Sequence, residues 1–210
     1  MTDSALRDAL TKHGRSLYDR GYAHGSSGNL SVRVDDEFII TPTGTSLGRL
    51  DPSQLSRIAA DGRLIDGPAA SKELFLHLAV YKQRPGARAI VHLHCTCAAA
   101  VACLVHTNPA NVFPPLTAYH VMRVGVVPLI EYFRPGDHAL AAAVEKAAIG
   151  HRAMLLANHG PVVSGAALDD AVDSSEELEQ TARLLLLLRG HDLATLTPAQ
   201  VADVERHFPG

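Results

Sequence analysis

The sequence has little of several residue types that would point to particular classes of protein. It has no tryptophan, an aromatic content of 5% and only three cysteines. The cysteines are odd in number and lie between positions 95 and 103, so we expect no disulfide framework and a reducing, cytoplasmic compartment. The longest leucine run, residues 184–188, is far shorter than the ~20 apolar residues of a membrane helix. The N-terminus also lacks the basic and apolar regions of a secretory signal.

An excess of charge of one sign is absent as well. Lysine and arginine number 19 against 22 aspartates and glutamates, which gives a net charge of −3. We therefore expect neither a nucleic-acid partner nor a membrane surface. The 210 residues are 47% hydrophobic, which is enough for a substantial core. Because no linker, repeat or low-complexity stretch divides the chain, we predict one domain over residues 1–210.

The spacing of apolar residues alternates between the periods of helices and strands. It predicts helices over residues 4–20, 71–84, 96–104, 137–148 and 168–189, with a short last helix after residue 197. It predicts strands over residues 30–34, 37–41, 89–94, 124–129, 153–157 and 161–164, and a hairpin over residues 57–65. Ser71 is expected to be the N-cap of the second helix. This order predicts an α/β domain with an antiparallel or mixed sheet and helices on its faces.

The most informative feature is a pair of histidines, His92 and His94, at the end of a predicted strand. Alternate side chains of a strand share a face, so both imidazoles are expected on one side. A third histidine, His159, lies in a turn between two predicted strands, and catalytic zinc typically takes three protein ligands. The set predicts a metal site, although polar strand residues and a backbone-capping His159 remain alternatives. Cys95 and Cys97 are further candidate ligands, but the helix after them favours apolar packing.

Three loops carry the small hydroxyl, amide and glycine residues that bind an oxyanion. They contain Ser27, Gly28 and Asn29; Thr43 and Gly44; and Ser71 and Lys72. Backbone N–H groups, hydroxyls and a helix N-terminus suit a phosphate, and Lys72 adds a positive charge. Each loop taken alone is explained better by a simple turn than by a binding role.

Glu73 lies at the start of the helix predicted after Ser71. A carboxylate there complements the helix dipole. The same position suits a general acid/base or a fourth metal ligand. The residue alone favours the helix-dipole interpretation.

Taken together, five motifs resemble those of the class II aldolase/adducin family over nearly the whole chain. They are Ser27-Gly28-Asn29-Leu30-Ser31, Thr41-Pro42-Thr43-Gly44, Ser71-Lys72-Glu73, His92-Leu93-His94 and Asn158-His159-Gly160. The resemblance implies a single α/β/α sandwich around a central, mostly antiparallel sheet, usually as a homotetramer. It also implies Zn2+ on His92, His94 and His159, an acid/base role for Glu73, and a substrate phosphate in the three loops.

The third motif narrows the resemblance to one branch. Sugar-phosphate aldolases of the family usually have Ser-Ser-Glu and the ribulose-phosphate 4-epimerases Ser-Ser-Asp, whereas Lys72 stands between Ser71 and Glu73 here. With residues 18–22, 47–52 and 132–136, this resembles the branch that decarboxylates 3-oxo-tetronate 4-phosphates. Lys72 would then bind the carboxylate or the phosphate of the substrate. Tyr119, or equally His120, would reach a neighbouring subunit's site.

The resemblance therefore implies a zinc-dependent lyase that converts a small phosphorylated sugar acid into dihydroxyacetone phosphate and carbon dioxide. An aldolase of the L-fuculose 1-phosphate type passes through the same kind of enediolate and is the alternative. Adducin-type interaction domains share the fold but lose the histidines, so they fit this chain less well. Residues 184–188 contain more leucine than one helix face needs, which favours burial between subunits.

Overall fold

The computed structural model of the protein describes residues 2–105, 108–134 and 136–208. The helices are α1 Asp3–Asp19, α2 Leu74–Gln83, α3 Thr96–Ala102, α4 Ala118–Arg123, α5 Ala139–Ala148, α6 Leu168–Leu187 and α7 Pro198–His207. The strands are β1 Asn29–Val34, β2 Glu37–Ile40, β3 Ser56–Ile58, β4 Leu64–Asp66, β5 Ala89–His92, β6 Leu129–Ile130, β7 Ala153–Leu156 and β8 Gly160–Gly165. Within these ranges, no helix is long and apolar enough to cross a membrane.

The eight strands form one sheet in the order β4-β3-β2-β1-β5-β8-β7-β6. Every neighbouring pair is antiparallel except β6 and β7, which are parallel. The predicted α/β class and the mostly antiparallel sheet are therefore confirmed. The centre of the sheet is β1, β5 and β8, where Asn29 pairs with His92 and His92 pairs with Val162.

Alternation along the central strands divides the core into two layers, one on each face of the sheet. On one face, Val91 and its neighbours pack with buried residues of α1, α3 and α6. On the other face, Ile90 and its neighbours pack with α2 and α5. Side chains of successive strand residues point to opposite faces, so His92 is on the same face as Ile90, towards α2. This is the α/β/α arrangement that the resemblance implied.

One predicted strand is wrong. The structure has no strand over residues 124–128; it has helix α4, which the Thr117 side chain caps by accepting from the His120 backbone N–H, and strand β6 begins only at Leu129. Helix α4 has six residues, too few for a helical period to stand out in the sequence. Gly125 then takes a left-handed conformation, with φ of 73°, which ends the helix and breaks any extended run.

Ser71 is not the N-cap of α2, which is a second correction. The helix begins at Leu74, and Glu73 occupies the N-cap position without a side-chain cap. The Ser71 hydroxyl accepts instead from the Glu73 backbone N–H at 3.2 Å, and the Leu74 N–H donates to the Ser71 carbonyl. A turn therefore precedes the helix, and it presents residues 71–73 at one end of α2.

Candidate metal centre and substrate cavity

Three imidazoles converge at the end of β5. The Nε2 atoms of His92 and His94 are 3.1 Å apart, those of His92 and His159 are 3.3 Å apart, and those of His94 and His159 are 2.9 Å apart. Three neighbouring ring nitrogens cannot all satisfy one another by hydrogen bonds, because each presents only one proton or one lone pair in its ring plane. A shared cation resolves this arrangement.

Strand alternation explains only part of the convergence, since β5 ends at His92 and not at His94. Beyond His92, the Leu93 N–H donates to the Pro161 carbonyl at 3.3 Å, and the chain then turns into α3. The third imidazole, His159, lies on the β7–β8 turn, where Asn158 has a left-handed conformation with φ of 56°. Gly160 lets the two segments meet, because a Cβ at that position would overlap the Leu93 carbonyl oxygen.

The tautomer of His92 leaves its Nε2 free to act as a ligand. His92 is fully buried, and its Nδ1 is 2.8 Å from the Pro161 carbonyl oxygen. A carbonyl can only accept, so Nδ1 carries the proton, and in the neutral ring Nε2 has the lone pair. Donation from the second ring nitrogen to a carbonyl is the usual way in which proteins orient a metal-binding histidine.

Glu73 completes the cluster. Its Oε2 is 3.4 Å from His92 Nε2, its Oε1 is 3.2 Å from His159 Nε2, and the Asn29 amide donates to Oε2 at 2.7 Å. Burial lowers the pKa of His92, but the charge of Glu73 outweighs burial and raises it, so without a metal His92 is charged and also carries a proton on Nε2. In that metal-free state, burial favours the neutral acid of Glu73, but the charge of His92 and hydrogen bonds from His159, His92 and Asn29 outweigh burial and hold the pKa of Glu73 well below its usual range. The substrate-free site therefore contains a carboxylate. Burial lowers the pKa of His94 to about 3, which favours its neutral, ligating form.

The donor set fits a divalent metal. The ligand atoms of Glu73, His92, His94 and His159 all lie within 4.8 Å of one another. Tetrahedral zinc with Zn–N distances near 2.0–2.1 Å requires ligand nitrogens about 3.3 Å apart, close to the observed separations. The cysteines are not part of this cluster in the described chain: Cys95 is buried in the apolar core, and Cys95, Cys97 and Cys103 are free thiols.

A cavity of about 460 Å³ opens beside the cluster. Its lining contains all six residues predicted to hold the substrate phosphate, together with Lys72, Glu73 and His94. The full lining is Ser26, Ser27, Gly28, Asn29, Pro42, Thr43, Gly44, Ser71, Lys72, Glu73, His94 and Gly136. The structure thus brings the three predicted loops together at the metal-binding residues.

Backbone contacts hold the three loops in place. Pro42 forms a β-bridge with Ala70, and the Thr43 N–H donates to the Ala69 carbonyl at 3.0 Å. Gly28 is left-handed, with φ of 78°, and a Cβ there would come within 3.0 Å of the His92 carbonyl oxygen. The glycine is therefore required both for the turn and for the close approach of its loop to β5.

The two candidates on α4 separate clearly. Tyr119 is exposed over 62% of its surface, whereas His120 is buried against Phe113 with only 2% exposed. Of the two, only Tyr119 is accessible to another subunit. It does not line the cavity of its own chain, and its role at a neighbouring site stays a prediction.

Sequence reasoning missed a buried polar row behind Glu73, which consists of Ser31, His77 and Tyr81. The signal was present in the sequence, because Glu73, His77 and Tyr81 follow one another at four-residue spacing. Such spacing places side chains on one face of a helix. Their apolar neighbours hid the pattern.

The fold and the site together define the class. The chain belongs to the Class II Aldolase and Adducin N-terminal domain family, whose match spans residues 8–186. Pro135, within one of the segments that resemble the decarboxylase branch, lies outside the described residues.

Within this family, the chain is similar to named decarboxylases and aldolases. The chain is 48% identical over 206 residues to a 3-oxo-tetronate 4-phosphate decarboxylase of Haemophilus influenzae, covering 98% of each chain. It is 35% identical over 173 residues to an L-fuculose phosphate aldolase of Methanocaldococcus jannaschii, covering 82% of this chain and 91% of the relative. The crystal structure of YgbL from Escherichia coli superposes with a TM-score of 0.94 at 44% identity, covering 96% of this chain and 98% of that one.

Proposed function

We propose that this protein is a metal-dependent carboxy-lyase that converts a 3-oxo-tetronate 4-phosphate into dihydroxyacetone phosphate and carbon dioxide, with zinc as the metal. The observation that carries the proposal is the convergence of three imidazoles and Glu73 beside a cavity lined by Lys72 and three oxyanion-binding loops. The relatives that are 44–48% identical over nearly the whole chain and are named for this reaction support it.

The substrate is a β-keto acid with its ketone at C3, a hydroxyl at C2 and a phosphate at C4. When the C1–C2 bond breaks, C1 leaves as carbon dioxide and the bonding electrons remain as an enediolate over C2 and C3. A divalent metal at the histidines supplies Lewis-acid stabilisation of that negative charge when it is bound. Glu73 then delivers a proton, drawn from water, to C2. One substrate and one proton give one dihydroxyacetone phosphate and one carbon dioxide.

The residues of the cavity orient the two charged ends of this substrate. We assign the phosphate to the hydroxyls and backbone N–H groups of the Ser27–Asn29, Thr43–Gly44 and Ser71 loops. We assign the carboxylate to Lys72, whose exposed side chain lines the same cavity beside Glu73. An aldolase substrate of this family lacks that carboxylate, so Lys72 is the residue that favours decarboxylation.

We further propose that the active form is a homotetramer in which Tyr119 completes a neighbouring site. Tyr119 is exposed, and so is the end of the leucine run, where Leu187 has 67% and Leu188 38% of its surface exposed. Exposed leucines at a helix end are commonly covered by another subunit. The three cysteines are free thiols, which supports our expectation of a reducing, cytoplasmic compartment.

The alternative is a class II aldolase that cleaves a ketose 1-phosphate. It is favoured by the aldolase relatives at 32–35% identity and by the same metal centre, since both reactions form an enediolate. The geometry of the three histidines does not separate the two reactions. We assign that distinction to the charge of Lys72, which supports decarboxylation if it binds the substrate carboxylate rather than the phosphate.

The test is a comparison of two substrates on the zinc-loaded protein. Incubation with a 3-oxo-tetronate 4-phosphate should release carbon dioxide and dihydroxyacetone phosphate, while L-fuculose 1-phosphate should remain intact. In Lys72→Ser, which restores the family's usual Ser-Ser-Glu motif, decarboxylation should fall. Cleavage of L-fuculose 1-phosphate without carbon dioxide from the keto acid would instead establish the aldolase.

A further inference from the structure

Behind Glu73, helix α2 and strand β1 present two matching rows of polar side chains. Glu73 at the N-cap of α2 is followed at four-residue intervals by His77 and Tyr81 within the helix, and Asn29 and Ser31 are two residues apart on β1. Four helical residues advance about 6 Å and two strand residues about 6.6 Å. The two rows therefore stay in register, so that each helix side chain meets a strand side chain.

The two rows form one continuous chain of hydrogen bonds. From the interior outwards, the Tyr81 hydroxyl is 2.9 Å from Ser31 Oγ, Ser31 Oγ is 2.7 Å from His77 Nδ1, and His77 Nε2 is 2.6 Å from Asn29 Oδ1. The Asn29 amide nitrogen donates to Glu73 Oε2 at 2.7 Å. The chain thus ends at the carboxylate to which we assign the proton transfer.

The donor and acceptor of each hydrogen bond follow from the carboxylate at the outer end of the row. The carboxylate of Glu73 can only accept, so the Asn29 NH2 group must face it and Asn29 Oδ1 must face His77. That oxygen also only accepts, so His77 Nε2 carries the proton. In the neutral ring Nδ1 then accepts from Ser31, whose oxygen accepts in turn from Tyr81.

The surroundings keep His77 neutral and the row fixed. His77 is fully buried, and its burial lowers its pKa to about 3. Tyr81 is stacked on Phe38 with ring centroids 4.6 Å apart, and its backbone carbonyl accepts from the Arg33 guanidinium at 2.8 Å. Packing and a backbone hydrogen bond therefore hold Tyr81 in place at the inner end of the hydrogen-bonded row. The hydrogen bonds of the row in turn fix the positions of Ser31, His77 and Asn29.

We propose that His77 is a positioning residue that fixes the orientation of the Glu73 carboxylate through Asn29; this rests on the acid/base role of Glu73 in the proposed function. An Asn29 amide turned the other way would place two acceptor oxygens against each other. Neutral His77 with a proton on Nε2 is compatible with only one of the two amide orientations, the one in which Asn29 Oδ1 faces the imidazole. The carboxylate is therefore held in one position before substrate binds, as proton transfer to a single carbon requires.

The test compares four variants of the zinc-loaded protein with the wild type. His77→Leu removes the donor to Asn29, while His77→Gln keeps an N–H donor at a similar distance. Ser31→Ala removes the hydroxyl that donates to His77 Nδ1. Ser164→Ala is the matched control, because Ser164 is also a buried strand serine, bonded to the Arg152 carbonyl at the far end of β8.

Two measurements report on proton transfer by the Glu73 carboxylate. The first is kcat against KM for decarboxylation, and the second is exchange of a carbon-bound hydrogen of dihydroxyacetone phosphate in D2O, which is the reverse of the proposed protonation. Bound zinc and melting temperature serve as checks of the fold. Misplacing a catalytic group costs on the order of tenfold to a hundredfold. We expect kcat and exchange to fall by that factor in His77→Leu and Ser31→Ala with KM unchanged, recovery in His77→Gln, and wild-type rates in Ser164→Ala.

Folded His77→Leu and Ser31→Ala variants with wild-type kcat and exchange would overturn the proposal. A second arm is independent of activity: nitrogen NMR of histidine-labelled protein, with His77 assigned from the spectrum of His77→Gln. It should show a neutral ring protonated at Nε2, and a proton on Nδ1 would also overturn the proposal. If the wild type neither decarboxylates nor exchanges while the NMR result holds, the proposed function fails and the hydrogen-bond chain stands.

Discussion

At the scale of single residues, the chemistry of the site depends on which nitrogen of each imidazole carries a proton. The Pro161 carbonyl fixes the proton of His92 on Nδ1, and burial favours neutral His94. Both effects leave Nε2 lone pairs directed at a common point. The Nε2 atoms of the three histidines are 2.9–3.3 Å apart. The protein therefore holds the ligand set in place before a metal arrives, which reduces the cost of ordering it.

Removal of one ligand should abolish stoichiometric metal binding. We expect the wild type to bind one zinc per chain. We expect His92→Ala to lose it, because the two imidazoles and the carboxylate that remain do not surround the ion. Metal analysis after dialysis measures this. His207→Ala, on the exposed end of α7, is the control and should bind as the wild type does. One zinc per chain at wild-type affinity in His92→Ala would show that the ligand set is wrong.

A buried histidine away from the site makes stability depend on pH. Burial lowers the pKa of His120 from 6.5 to about 4, and within the described residues its Nδ1 has no hydrogen-bond partner. At pH values between 4 and 6.5 the unfolded chain binds more protons than the folded one. The contribution of neutral His120 to the free energy of unfolding is therefore fully present above pH 6.5 and is lost as the pH falls towards 4. The loss is about 1.4 kcal/mol per pH unit.

The variant His120→Phe should remove this dependence. Denaturant unfolding of the metal-free proteins at pH 7 and pH 5 should show a loss about 2 kcal/mol smaller in His120→Phe than in the wild type. Equal losses in the two proteins would mean that His120 is not the group that titrates.

Sequence reasoning at the residue scale identified the three histidines, Glu73 and the three loops, because each belongs to a motif with its own chemical signature. It missed Ser31, His77 and Tyr81, which are polar residues whose partners lie on another element. Their hydrogen bonds exist only once α2 lies over β1, and the sequence alone does not give that register.

At the scale of elements, segments with clear hydrophobic periodicity were predicted well, and boundaries near turns were predicted poorly. The long helix α6 and the hairpin β1–β2 lie where apolar spacing placed them. The errors at α4, at the start of α2 and at the end of β5 all occur within a few residues of a turn. Local turn geometry decides such boundaries, and hydrophobic periodicity carries little information about it.

The close approach of the β7–β8 turn to β5 should be sensitive to one methyl group. In Gly160→Ala, the added Cβ would overlap the backbone of Leu93, so we expect a loss of stability of about 1–3 kcal/mol and weaker zinc binding. Calorimetry and metal analysis check both. Gly150→Ala is the control, since a Cβ there has no atom within 4 Å, and it should lie within about 1 kcal/mol of the wild type. Equal behaviour of the two variants would contradict the proposed role of Gly160.

At the scale of the whole molecule, the two faces of the sheet have different tasks. The α2 face holds Glu73 and the polar row behind it, and the α1, α3 and α6 face holds the larger apolar layer. The candidate metal ligands lie where β5 and the β7–β8 turn end, at the same edge as the three loops. That edge is where a substrate with charge at both ends meets all the groups assigned to it.

Assembly should depend on the exposed end of α6. We expect sedimentation of the wild type to give a tetramer, and Leu187→Glu to shift it towards smaller species because the change would bury a charge between subunits. Ile149→Glu is the control: Ile149 has the same exposed fraction of 67% but lies at the C-cap of α5, so the tetramer should remain intact. A tetramer that is unchanged in Leu187→Glu would place the interface elsewhere.

In the proposed function, the histidine cluster holds the metal on which decarboxylation depends. The most direct measurement is carbon dioxide release from a 3-oxo-tetronate 4-phosphate labelled in its carboxylate, followed as zinc is added to the metal-free protein. We expect no enzymatic release of carbon dioxide without metal, a linear rise as zinc is added, and a plateau at one zinc per chain. Full release from the metal-free protein, or an equal plateau in His92→Ala, would contradict it.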